Sequence, residues 1–147
     1  MSELCLVLGS NSFSGSSFVN HLLTRGMDVL GCSRSPEPHT AFLPYKWSKQ
    51  QANFTFQQLD INKDLDELMD LVESKRPAYV VNFSAQSMVA ESWANPDHWF
   101  MTNVVSTIRF HERLRGCSFL RKYVHVSTPE VYGSTCGFIS EDTSFNP

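Results

Sequence analysis

The stretch Leu4-Cys5-Leu6-Val7-Leu8 is apolar at every position and stops abruptly at Gly9. A strand with water on one face alternates in polarity, whereas one that is apolar throughout is buried on both faces, as inside a parallel sheet. Parallel neighbours need a crossover, so a helix should follow. From Gly15 to Arg25, the residues Phe18, Val19, Leu22 and Leu23 recur on one helical face, and Gly26 stands where a C′ residue closes a helix. A second apolar run, Asp28 to Cys32, completes the first β-α-β unit.

The pattern repeats along the chain. Ser33 to Asn53 is polar with three prolines and reads as a long irregular connection, of the length that usually carries function. Phe54 to Leu59 is a third strand ending in Asp60-Ile61, and Asp64 to Ser74 a helix with Leu65, Leu68, Met69 and Val72 on its apolar face. Ala78 to Phe83 is a fourth strand. Pro96 opens a helix that runs from Asp97 to Arg115 and is expected to bury Phe100, Val104, Ile108 and Leu114. Lys122 to Ser127 is the fifth strand. Five strands alternating with helices predict an α/β fold, a doubly wound parallel sheet with right-handed crossovers. Ligands of such sheets bind beyond the carboxyl ends of the strands, here just after Leu8, Cys32, Leu59, Phe83 and Val126.

Composition narrows the function classes. The 147 residues are 41% hydrophobic and 18% charged, the profile of one globular domain with its own core. Twelve Lys+Arg against fifteen Asp+Glu give a net charge of −3 without basic blocks, which argues against nucleic-acid or anionic-membrane partners. The cysteines Cys5, Cys32, Cys117 and Cys136 lack C-x-x-C spacing and read as reduced thiols. The histidines are scattered, so no metal site is expected, and the phenylalanines and tryptophans read as core or loop packing. The first apolar run is too short for a signal or membrane segment, and a cytoplasmic location is expected.

After the first strand comes Gly9-Ser10-Asn11-Ser12-Phe13-Ser14-Gly15, a G-x-x-G-x-x-G turn with serine in the middle place. Backbone N–H groups at the following helix N-terminus suit a pyrophosphate, and the Ser12 hydroxyl can donate to one. The alternative is a Ser/Gly turn that caps a helix and binds nothing. The second strand ends in Cys32-Ser33-Arg34, with no carboxylate where an NAD-preferring site places one on the ribose. Arg34 can instead pair with a 2′-phosphate, which leans toward NADP, or remain a solvated surface cation.

These motifs, with Asp60-Ile61, Asn82-Phe83-Ser84-Ala85-Gln86-Ser87, Asn95-Pro96 to Thr102-Asn103-Val104, and Val124-His125-Val126-Ser127-Thr128-Pro129-Glu130-Val131-Tyr132-Gly133, resemble the extended short-chain dehydrogenase/reductases. Within that family the chain is most similar to the nucleotide-sugar epimerases and 4,6-dehydratases. The resemblance implies a Rossmann fold incomplete at its C-terminal end. Residues 1–147 would be the NAD(P)-binding part, and the substrate lobe would be absent. It implies that Asp60 and Ile61 meet the adenine, that Phe83, Ser84 and Ala85 line ribose and pyrophosphate with Ser127 nearby, and that Gln86 and Ser87 face a nucleotide-sugar substrate. Asn103 would tie the long helix to neighbouring strands.

By the same resemblance Thr128 would hydrogen-bond the sugar 4-oxygen. Glu130 would be the base that removes the proton beside the resulting ketone, which favours a dehydratase over a simple epimerase. Pro129 stands where some of those dehydratases have an acidic residue, so the general acid is unassigned. For Asp60 and Glu130, a loop-capping and a solvated role respectively are the plainer alternatives. The family also needs a Tyr-x-x-x-Lys pair on the helix after this loop. Tyr45 to Lys49 has the spacing but lies at the adenosine end of the site and is not that pair. The long helix resembles one through which family members form homodimers. Rival readings are an NADP-dependent reductase of the same superfamily and a non-catalytic nucleotide-binding module.

Overall fold

The computed structural model describes residues 3–147. Its strands are β1 (Leu4–Leu8), β2 (Asp28–Ser33), β3 (Phe54–Gln58), β4 (Tyr79–Asn82) and β5 (Lys122–His125). All pair in parallel, in the spatial order β3-β2-β1-β4-β5. The chain builds outward from β1 to β3, crosses back, and builds outward again on the other side. This is the doubly wound sheet that the alternation predicts, with its direction change between β1 and β4. Leu8 pairs with Cys32 on one side and Asn82 on the other. The turns that follow β1, β2 and β4 therefore emerge side by side.

Both faces of the sheet are covered, which explains the unbroken apolarity of β1. Leu6 and Leu8 join Leu68, Met69, Val72, Val80, Phe110 and Leu114 on one face, while Cys5 and Val7 join Val19, Leu23, Val29 and Val81 on the other. The helix α1 (Phe13–Thr24) begins two residues earlier than its hydrophobic period implied, because Ser12 caps it by accepting from Gly15 N. Gly26 takes the expected C′ place with φ +75°. The helix α2 (Leu65–Lys75) buries Leu68, Met69 and Val72 as predicted.

The connection between β2 and β3 differs from the irregular loop expected. It contains three short 3-10 turns, at Thr40–Phe42, Pro44–Trp47 and Gln51–Asn53, and inserts Leu43 and Tyr45 completely into the core beside α1. Tyr45 lies with its ring centroid 4.3 Å from that of Phe54.

The long helix corrects a second expectation. After α3 (Val89–Ala94) it runs as α4 (Pro96–Phe100), a wider π-helical stretch (Met101–Ser106) and α5 (Thr107–Leu114). Its buried side is Thr102, Ser106, Phe110 and Leu114, whereas Phe100 and Ile108 are 66% and 62% exposed and Val104 faces outward with them. Hydrogen bonds decide the facing. Asn62 Nδ2 donates to Thr102 Oγ1 at 3.0 Å, and Thr107 Oγ1 donates to the Thr102 carbonyl at 3.1 Å. The first bond satisfies the Thr102 hydroxyl, which is buried while an apolar stripe stays outside. Phe110 compensates on the inner side, contributing about 2 kcal/mol by burial. The expectation that the phenylalanines and tryptophans pack holds for Phe110 but not for Phe13, Trp47 and Trp93, which are exposed. Among the described residues no helix is long and apolar enough to cross a membrane, and no cluster of three metal-ligating side chains occurs.

Candidate functional site

The turn after β1 sits at the direction change of the sheet. Gly9 N and Ser10 N both donate to the Cys32 carbonyl, at 2.8 and 3.3 Å, which bends the chain sharply off the strand. Gly9 has φ +73°, and a Cβ there would lie 2.8 Å from the Phe83 carbonyl carbon, so only glycine lets the turns after β1 and β4 approach this closely. Ser12 N closes the turn onto Gly9 O at 3.0 Å. The Ser12 oxygen accepts from Gly15 N at 3.0 Å, which leaves its proton available for a ligand. The first-turn amides of Phe13 and Ser14 have no partner among the described residues, as helix geometry requires unless a ligand supplies one.

Beside this turn lies a cleft of about 180 Å³. Gly9, Asn11 and Ser12 form one wall, Ser33 and Arg34 a second, Asp60 and Ile61 a third, and Phe83, Ser84 and Ala85 the floor. Ser33 Oγ accepts from Asn11 N at 3.1 Å, so its hydroxyl braces the turn. Arg34 is exposed, and its guanidinium forms no ion pair among the described residues. Asp60 is also engaged in local hydrogen bonds. Its Oδ1 accepts from Asn62 N at 2.9 Å, while Asp64 Oδ2 accepts from Asp60 N at 2.8 Å. Sequence reasoning missed Asn62 and Thr102, which also line this cleft. Asn62 Oδ1 is buried and has no hydrogen-bond partner among the described residues.

Ser84 and Ala85 also belong to a second, open cleft of about 610 Å³. Gln86 and Ser87 line it from one side, and Ser127, Thr128 and Glu130 from the other. Asn103 holds the first side in place: its Oδ1 accepts from Gln86 N at 2.8 Å, and its Nδ2 donates to Gln86 O at 3.0 Å. It thus ties the helix to the loop after β4 rather than to a strand. The π-helical turn lets adjacent residues serve both clefts, Thr102 the first and Asn103 the second. Glu130 sits in a 3-10 turn, Pro129–Tyr132, opened by the proline. Trp99 and His125 are further lining residues to which the sequence assigned no site role.

Of the residues singled out from the sequence, Phe13, Ser14 and Gly15 line neither cleft. Phe13 points outward, and Gly15 is buried beneath the turn. All the others meet in the two clefts, which join at Ser84-Ala85.

Cys32 touches the first cleft but is not a nucleophile. Burial pushes the thiols of Cys5 and Cys32 up to about 12, because a thiolate loses its hydration there. At pH 8 about one molecule in ten thousand carries the thiolate. Iodoacetamide at that pH should therefore modify exposed Cys136 and leave Cys5 and Cys32 unmodified until the chain unfolds, as peptide mass mapping would report. Rapid native modification of Cys32 would contradict this.

The sheet order, the glycine turn at its direction change and the clefts beyond the strand ends define a Rossmann fold. The chain belongs to the GDP-mannose 4,6 dehydratase family, whose family model matches residues 6–147. It is 33% identical to UDP-glucose 4-epimerase of Mycolicibacterium smegmatis, over 97% of this chain and 44% of that protein. It is 30% identical to dTDP-glucose 4,6-dehydratase of Xanthomonas campestris, over 97% of this chain and 43% of that one. Among solved structures, MoeE5 in complex with UDP-glucose and NAD matches with a TM-score of 0.78 at 26% identity, covering 97% of this chain and 42% of that one. The chain thus spans less than half the length of these relatives.

Proposed function

We propose that residues 1–147 are the cofactor-binding part of an NAD(P)-dependent nucleotide-sugar 4,6-dehydratase, which acts in the cytoplasm. The observation that carries this reading is the continuity of the two clefts. A continuous path runs from Arg34 past the glycine turn to Ser84-Ala85, and Thr128 and Glu130 stand beyond its far end. The amides after Ser12, at the N-terminus of α1 and without a partner among the described residues, suit a pyrophosphate. On this reading Asp60 and Ile61 flank the adenine, Phe83 and Ser84 the ribose, and Ser127 the nicotinamide end. Gln86 and Ser87 meet the sugar nucleotide. The exposed guanidinium of Arg34 supports NADP over NAD.

When bound, the nicotinamide supplies a reversible hydride acceptor. Thr128 holds the sugar 4-oxygen by a hydrogen bond and favours the ketone form. Glu130 takes the proton from the carbon beside that ketone, and the hydroxyl on the next carbon then departs as water with a proton drawn from solvent. A reductase has no use for a carboxylate at position 130, so that alternative is not favoured. The outward-facing Phe100, Val104 and Ile108 support a homodimer formed through the 97–115 helix.

The whole protein, incubated with nucleotide hexoses and a catalytic amount of cofactor, is expected to accumulate a 4-keto-6-deoxy sugar nucleotide without added reductant. Chromatography with mass detection would show a product lighter than the substrate by one water. Stoichiometric consumption of NADPH, or binding with no conversion at all, would count against the dehydratase.

A further inference from the structure

Behind the first cleft lies a charged cluster that the reaction does not use. Asn11, which lines the cleft, is enclosed by the connection after β2. Its Nδ2 donates to the carbonyls of Ser35 and Pro36 at 3.0 and 3.1 Å. The hydroxyl of fully buried Tyr45 donates to Glu37 Oε1 at 2.9 Å and also approaches Asn11 Oδ1 at 3.3 Å. Glu37 Oε2 is paired with Lys46 Nζ at 2.8 Å, and both side chains are about three-quarters buried, at 25% and 23% exposure. Lys46 is further held over the rings of Tyr45 and Phe54, 5.7 and 5.9 Å from their centroids.

One hydroxyl thus links a carboxylate to Asn11, at the corner of the cleft that Asn11, Arg34 and Ser35 all line. A partly buried charge is screened less than a surface one, so the state of Glu37 is felt across that corner. With Lys46 in place the pair is neutral and Arg34 sets the local sign. Without it, a carboxylate would cancel Arg34.

We propose that the Glu37–Lys46 pair is a specificity-determining device, in which Lys46 neutralises Glu37 so that the corner admits a dinucleotide with a phosphate on its adenosine ribose. The inference rests on the cofactor reading above and adds to it two positioning residues that need not touch the ligand. A latch that merely held the loop would affect phosphorylated and unphosphorylated cofactors alike.

Titration calorimetry with NADPH and NADH on the full chain separates the two. Lys46→Met should weaken NADPH about tenfold while changing NADH less than about twofold, as expected for one uncompensated charge beside a dianion. Adding Glu37→Gln to Lys46→Met should return NADPH to within about twofold of the parent. Glu37→Gln alone keeps an oxygen for the Tyr45 hydrogen bond and should leave NADPH binding unchanged or tighter, which gives a second readout if Lys46→Met folds poorly. Parallel loss of both cofactors, failure of the double variant to recover, or selective loss of NADPH in Glu37→Gln would each overturn the inference and leave the cofactor reading standing. A parent chain that binds neither cofactor would overturn both.

Discussion

Replacing Gly15 by alanine is expected to weaken NAD(P)H binding by about a hundredfold, although alanine is the better helix former by about 1 kcal/mol. A Cβ at this position would lie 2.2 Å from the Gly9 carbonyl oxygen and 2.8 Å from Ser12 Oγ. The first of these is backbone, and it accepts the Ser12 N–H that closes the turn. It cannot move without opening the turn, so the steric term exceeds the propensity gain. Opening the turn displaces the amides of Phe13 and Ser14. Two charge-assisted hydrogen bonds to a pyrophosphate, each worth about 1.5 kcal/mol, account for the expected loss. Gly116→Ala is the control, because its Cβ would meet nothing closer than 3.6 Å. Titration of both variants with NADH checks the result, and equal affinity for the two would remove the argument.

In the whole protein, Glu130→Gln should lower dehydration by about a thousandfold while leaving cofactor affinity within about twofold. The substitution keeps the size of the side chain and the proline-opened turn that carries it, but removes the basic oxygen. Glu130 is exposed and lines only the second cleft, so neither the core nor the glycine turn depends on its charge. A drop of that size corresponds to about 4 kcal/mol of transition-state stabilisation. Exchange of the substrate proton with deuterium from solvent gives a direct measure, since it should fall together with dehydration. Unchanged turnover would exclude Glu130 as the base.

Much of this architecture is legible in the residues, and its failures have particular causes. The strands β1, β2 and β4 read clearly because burial on both faces makes them largely apolar, and α1 and α2 because Val19, Leu22 and Leu23 in one and Leu68, Met69 and Val72 in the other recur at helical spacing. The long helix misled because its buried stripe contains Thr102 and Ser106, while the regularly spaced Phe100, Val104 and Ile108 face outward. Hydrophobic period alone assigns the wrong side when distant hydrogen bonds, here from Asn62, make hydroxyl burial inexpensive. Leu43 and Tyr45 went unseen because isolated apolar residues in a polar segment have no period. At the site, residues directly after strand ends could be placed together, since the sheet forces their proximity. Asn62, Trp99 and the bonds that enclose Asn11 depend on contacts between distant segments, which no local pattern reports.

The position of β1 has a further consequence for the molecule's opening motions. It is paired along both edges and covered on both faces, so its amides reach water only when the whole sheet comes apart. The glycine turn leaves directly from the end of this strand. Local fluctuations that loosen the sheet edges, the helix ends or the exposed loops leave that anchor in place. The turn's geometry should therefore persist for as long as the chain remains folded.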